Sequence, residues 1–200
     1  MNSRIFITGD THGVLNWEKL NETNFPEQKE LTKDDLVIIV GDAGIVWDKS
    51  EQDQYVQDEY NKRNFTTCFI DGNHENHDAL DSYPIEMWNG GKIHRINDSI
   101  IHLMRGQIYN INGKNFFTMG GAESTDKAWR KEGETWWLRE LPSSEEYAEA
   151  ISNLETFDFI DENNPEYELN LRIVRFEMEN GNFENIITNL SQDECSVEEL

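Results

Sequence analysis

Three short runs of apolar β-formers mark the first third of the chain: Ile5-Phe6-Ile7, Leu36-Val37-Ile38-Ile39-Val40 and Cys68-Phe69-Ile70. None shows the polar alternation of a half-exposed strand, and each reaches a glycine within two residues. Continuous apolar runs of this length predict parallel strands buried on both faces, the first over Arg4 to Thr8, the second ending at Val40 and the third at Ile70. The segments between them are polar. Tyr55, Val56, Glu59 and Tyr60 form a weak helical stripe inside Ser50 to Lys62. Further helices are expected near Val14 to Leu20 and Asp78 to Ser82, while Asn21 to Asp34 reads as a loop with a break at Pro26. From Lys92 to Met119 the texture changes to short strands, Lys92–Ile96, Ile100–Met104, Ile108–Ile111 and Phe116–Met119, with turn signals at Asn97-Asp98 and Asn112-Gly113. A helix over Ser143 to Leu154 follows, with Ser143 or Ser144 as N-cap and Glu145 and Glu146 in its first turn. Sequential βαβ units that pass into a β-meander predict an α/β fold, a layered α/β/β/α sandwich. In the tail, Leu169 to Met178 and Phe183 to Leu190 flank Asn180-Gly181, a two-residue hairpin signal.

Composition narrows the class. Hydrophobic content of 36% with 28% charged residues places the 200-residue chain among globular proteins with one substantial core. A formal charge of −23 opposes binding to nucleic acid or an anionic membrane. Cys68 and Cys195, one in a strand pattern and one in an acidic tail, make no disulfide framework, so a cytoplasmic location is expected. No signal peptide or membrane-spanning run is present in the sequence.

The loops after the three strands carry the chemistry. They read Gly9-Asp10-Thr11-His12-Gly13, Gly41-Asp42-Ala43-Gly44 and Gly72-Asn73-His74-Glu75. Carboxyl ends of parallel strands are where α/β sheets place ligands, and Asp, His and Asn are the oxygen and nitrogen donors of divalent metals. Asp42 is read as the bridging ligand, because both carboxylate oxygens carry lone pairs. Asp10 and His12 project from one loop toward one metal, and Asn73 offers an amide oxygen to a second.

The series GD-x-H-G, GD-x-G and GNHE resembles the calcineurin-like metallophosphoesterases through about Leu154. The resemblance implies a cytoplasmic hydrolase of phosphate esters with two divalent metals (Mn, Fe, Zn or Mg), acting on a small-molecule or phosphoprotein substrate. It implies Asp42 as the shared ligand and His74 as the acid that protonates the leaving oxygen. Ile45-Val46-Trp47 replaces the Asp-Arg of eukaryotic-type Ser/Thr phosphatases after the second loop, which favours a bacterial branch. Arg130, in a locally basic segment with Lys127 and Lys131, is placed as a phosphoryl clamp. Trp129, Trp136 and Trp137 are read equally as pocket wall or packing. His77 is read as a part-exposed helix histidine, and His94 and His102 as structural.

Members of the family carry a later metal histidine and then a Gly-His-x-His pair, whereas this sequence has no histidine after His102. The expectation is a phosphoesterase domain over residues 1–154 that is incomplete at its C-terminus. It would hold at most about one metal tightly, with impaired activity. The alternative is a catalytically inactive relic that keeps the fold and weak metal binding. Residues 155–200 resemble, over the hairpin, an internal β-segment of DDE-class insertion-sequence transposases without the catalytic-glutamate helix. That hairpin, or the orphaned sheet edge, is the expected route to a homodimer.

Overall fold

The computed structural model describes residues 3–155 together with the strand backbones of 172–177 and 183–188. Residues 1–157 and 158–200 form two compact units. The first is built on a six-stranded sheet of β1 (Ile5–Thr8), β2 (Leu36–Val40), β3 (Thr66–Ile70), β4 (Ile85–Trp88), β5 (Gly91–Asn97) and β6 (Ile100–Leu103). Its spatial order is β1-β2-β3-β6-β5-β4, parallel from β1 to β6 and antiparallel for the last two strands. The apolar runs of β2 and β3 are buried almost throughout because both sheet faces are covered.

On one face, α1 (Glu51–Asn61) and α2 (His77–Leu80) pack with the preceding loops over Val37, Ile39, Phe69 and Ile100. The Ser50 hydroxyl caps α1 by accepting from Gln52 N at 3.1 Å, and Glu51 and Asp53 sit in the first turn where the helix dipole favours acids. Val56 and Tyr60, one turn apart, are the residues α1 buries in this core, whereas Tyr55 of the expected stripe is 50% exposed. Phe69 is fully buried, so Phe69→Ala costs about 3–5 kcal/mol.

On the other face, the hairpin of β7 (Gln107–Ile111) and β8 (Lys114–Thr118) sets Tyr109, Ile111 and Phe116 against Ile38, Cys68, Ile101 and Leu103. Its turn, Asn112-Gly113, has both residues in the left-handed region, as a two-residue hairpin demands. α3 (Ser144–Glu155) lies against the start of β7, where Gly106 approaches Ala150. It opens with a capping box: Ser143 Oγ accepts from Glu146 N at 3.2 Å, and Glu146 Oε2 accepts from Ser143 N at 2.7 Å. Helix, sheet, second sheet and helix follow the layering expected of the sequence.

Three details differ from the expectation. Val14 to Leu20 holds only a 3₁₀ turn, Trp17–Leu20, and the Pro26 segment holds another, Pro26–Glu30. Strand β4 was not expected; its alternation is inverted, with Ile85 and Met87 exposed and Glu86 and Trp88 half-buried on a sheet edge. The signal for it was Asn89-Gly90, whose left-handed pair joins Trp88 to Gly91.

In the second unit, β9 (Arg172–Glu177) and β10 (Phe183–Thr188) pair antiparallel, with Val174 opposite Ile186. The turn itself, Met178, Leu190 and Cys195 lie outside the described residues. No helix among the described residues is long and apolar enough to cross a membrane.

Candidate metal centre

The three loops meet at the carboxyl edge of β1, β2 and β3. The first docks on the second through its backbone: Thr11 N and His12 N donate to Asp42 O at 3.1 and 2.9 Å, and Gly13 N donates to Ala43 O at 2.8 Å. The buried Thr11 hydroxyl adds a 3.0 Å bond to Ala43 O. A Cβ on Gly44 would collide with Gly13 N and the His12 backbone, so the crossing requires glycine there. His12 and Asp42 themselves have φ of 45° and 43°. Left-handed backbone is unfavourable for non-glycine residues and is held here by the loop–loop hydrogen bonds.

The third loop is fastened to the second by Glu75. Its carboxylate is fully buried and accepts from Gly44 N at 2.9 Å and Gly72 N at 2.6 Å. Burial pushes its pKa up to about 8 against the pull of those two amides. A Cβ on Gly72 would occupy the place of Asp42 Oδ1, so this glycine makes room for the carboxylate.

Asp42 is the hub. Its side chain is 13% exposed, its Oδ2 lies 3.3 Å from His12 Nε2 and 2.8 Å from His74 Nδ1, and its Oδ1 accepts from His74 N at 2.9 Å. Among the described residues, His12, Asp42 and His74 are the group whose His, Asp, Glu or Cys donor atoms all fall within 4.8 Å of one another. Burial opposes the charge on Asp42, but the His74 hydrogen bonds more than offset it and hold its pKa below the ordinary value. His74 moves the opposite way, its proton favoured by Asp42 against burial and the nearby Arg130.

Arg130 reaches the far nitrogen of this imidazole, with Nη2 at 3.2 Å from His74 Nε2. Asp126 holds the guanidinium at 2.7 Å. A guanidinium only donates, so Nε2 accepts and the neutral ring carries its proton on Nδ1, facing Asp42. Asn73 is oriented by a similar argument. Ser124 Oγ lies 2.7 Å from Oε1 of Glu140, whose Oε2 accepts from Ser124 N at 2.8 Å. A carboxylate takes the hydroxyl proton, so Ser124 Oγ accepts from Asn73 Nδ2 at 3.2 Å and leaves Oδ1 as the uncommitted end of the amide.

Asp10 stands apart from the cluster of three. Its residue is exposed, its carbonyl accepts from Lys19 Nζ at 2.7 Å, and its Oδ1 lies near Gly41. Trp137 is buried, Trp136 lies under Lys127, and Trp129 is 91% exposed. The tryptophan that faces the cluster is Trp47, 6.3 Å from His74.

A second histidine–carboxylate group lies behind the third loop. Asp71 is bound by Arg105 Nε at 2.7 Å and by His102 Nε2 at 3.1 Å, and His94 meets His102 Nδ1 to Nδ1 at 3.1 Å. Burial opposes the Asp71 charge, yet His102 and Arg105 hold its pKa far below the carboxylate range. His77, expected to be part exposed, is instead buried, because the Leu138–Glu140 turn lies against α2 and Trp137 stands 6.4 Å away. His94 and His102 are structural in placement, as read. Glu75, Asp71, Arg105, Ser124 and Glu140 received no role from the sequence; only Glu75 stood inside a recognised motif.

The His12 imidazole and the Asp42 carboxylate, partly open to solvent at strained loop ends with His74 beside them, fit a first-row divalent metal. An α/β sandwich with such a cluster at the carboxyl edge of its parallel strands defines a metal-dependent hydrolase architecture. The family model for calcineurin-like phosphoesterases matches residues 3–169, so the chain belongs to that family of dinuclear-metal enzymes. No curated protein and no solved structure gave a match.

Proposed function

We propose that this protein hydrolyses a phosphate ester at the His12–Asp42–His74 cluster. The observation that carries the reading is the convergence of these three side chains, from three separate strand ends, within 4.8 Å. Asp42 and His12 would hold the metal, with Asp10 and the free Oδ1 of Asn73 as the neighbouring donors. When bound, a divalent ion supplies Lewis-acid neutralisation of phosphoryl charge. Mn, Fe, Zn and Mg all suit mixed nitrogen and oxygen ligands.

His74 suits proton handling better than ligation. Its Nδ1 is protonated toward Asp42 and so has no lone pair to offer, while Nε2 faces a guanidinium that repels a cation. Once Arg130 turns from Nε2 to the phosphoryl group, Asp42 stabilises the imidazolium, which can deliver a proton from Nε2 to a leaving oxygen. Arg130 beside Nε2 is placed to bind a phosphoryl oxygen through its donors.

A second reading, a domain that keeps the fold and binds metal with little turnover, is favoured by one observation. The described residues present one three-donor group where the family uses two metals. Titration of metal-free protein with Mn²⁺ by calorimetry, beside hydrolysis of p-nitrophenyl phosphate, separates the two. We expect saturation near about one ion per chain, set by the incomplete donor set. Asp42→Asn should abolish both binding and hydrolysis, and His74→Ala should abolish hydrolysis while binding persists. Mn²⁺ binding that is indifferent to Asp42→Asn would place the metal elsewhere and overturn the proposal. Binding without hydrolysis in the unmodified protein would establish the second reading.

A further inference from the structure

A pocket of about 300 Å³ opens beside the cluster and reaches both His12 and His74. Its apolar wall is made by Val14 and Leu15 from the first loop, Trp47 from the second, and Val56 from α1. Leu15 is 72% exposed, an unusual position for leucine unless something apolar covers it or it is a lone surface residue. Here it is not alone, since the other three side chains line the same pocket.

Trp47 is a fixed wall. Its backbone N–H donates to Asp53 Oδ2 at 2.7 Å, and the same oxygen accepts from the N–H groups of Asp48 and Lys49 at 3.0 and 2.9 Å. Its carbonyl accepts from Asn76 Nδ2. Its indole stands edge-on to the buried Trp137, with centroids 5.2 Å apart and an interplanar angle of 84°. A wall held from three sides binds without an ordering cost.

The charges around the pocket decide what fits. No lysine or arginine lines it, and Asp48 and Asp53 do, in a chain of formal charge −23. A second phosphate or a carboxylate on the substrate would meet repulsion there with no cation to receive it. We infer that this pocket takes the organic portion of a phosphomonoester, and that this portion is uncharged and apolar, an aryl or alkyl group lying against Trp47. The volume suits it: a cavity of roughly 150 Å³ already accommodates benzene. Nucleoside di- and triphosphates and bisphosphates are excluded by the same charge argument. The inference rests on the phosphoester reading of the adjacent cluster.

The test measures binding to the Mn²⁺-supplemented full chain with two non-hydrolysed probes, inorganic phosphate and phenylphosphonate, by calorimetry. Phenylphosphonate should bind at least about tenfold tighter, the lower end of what an apolar pocket contributes to discrimination. Leu15→Asp, at an exposed position that tolerates charge without unfolding, should reduce the ratio of the two affinities by about the same factor. Steady-state kinetics should favour 1-naphthyl phosphate over glycerol 2-phosphate and over ATP. Phosphate binding with no phenyl preference, a preference that survives Leu15→Asp, or faster turnover of ATP than of 1-naphthyl phosphate overturns this inference alone. Failure of both probes to bind overturns the phosphoester reading and this inference with it.

Discussion

Two groups of histidines and carboxylates lie on either side of one loop, and the same residue types behave differently in each. Asp42, His12 and His74 stand at the strand ends, partly exposed, with Asp42 bound only by imidazole and backbone donors. Asp71, His102, His94 and His77 lie beneath, where Arg105 bonds Asp71 with both side chains 2–3% exposed. The buried group is already neutralised by a guanidinium, which opposes any cation. The outer group has no fixed cation on its carboxylate, which faces the His12 imidazole at the open strand ends. What completes each carboxylate, and not which residues are present, separates the candidate metal group from the sealed one.

The largest effect should come from breaking the buried group. Arg105→Met leaves the buried Asp71 charge with the His102 hydrogen bond but no guanidinium, which costs about 3–5 kcal/mol. Arg130→Met, whose side chain is 19% exposed, should shift stability by less than about 1 kcal/mol. Urea denaturation of the two variants measures the difference, and equal losses would erase the contrast between sealed and open groups.

A pH series sharpens the same comparison. Burial holds His77 and His94 at about 4, below the roughly 6.5 of an unfolded imidazole. The unfolded chain therefore takes up protons that the folded chain refuses. Their contribution is fully present above about pH 6.5 and falls as pH drops toward about 4. Urea midpoints should decline between pH 7 and 5, and His77→Gln or His94→Gln should each flatten the decline. A slope unchanged in both variants would assign it to other groups.

Ser124→Ala should act on the open group from a distance. It frees the Asn73 amide to rotate and leaves a Glu140 oxygen without its hydroxyl partner. Mn²⁺ affinity should fall about tenfold, the lower end for residues that orient ligands, with recovery in Ser124→Thr. Unaltered affinity in Ser124→Ala would mean that Asn73 does not contribute a ligand oxygen.

The smallest effect is expected from Trp129→Ser. Trp129 is 91% exposed and lies outside both groups, so melting temperature and phenylphosphonate affinity should stay at wild-type values, within about 0.5 kcal/mol in stability. A clear loss of phosphonate affinity would restore the tryptophan segment as a substrate wall.

What was readable from the chain was local. Apolar runs ending in glycine located β1, β2 and β3, Ser143 or Ser144 marked the N-cap of α3, and Asn112-Gly113 announced the β7–β8 turn. Asn89-Gly90 carried the same signal for β4 and was missed; the short strand places Ile85 and Met87 on its exposed side, the reverse of core-facing alternation. His12, Asp42, Asn73 and His74 were legible because each sits in a short motif at a strand end.

By itself, then, the sequence determined the strand–loop units and the residues that terminate them, since hydrophobic period and turn chemistry act over a few neighbours. The pairing of those units was decided only in three dimensions. Ser124 meets Asn73 from 51 residues away, Arg130 meets His74 from 56, and Arg105 meets Asp71 from 34. No periodicity links such positions, because the sheet order that inserts β6 beside β3 brings them together. Tertiary structure also decided the placement of the histidines: His77, His94 and His102 are buried around Asp71 and Arg105, and an open edge leaves His12 and His74 partly exposed beside Asp42.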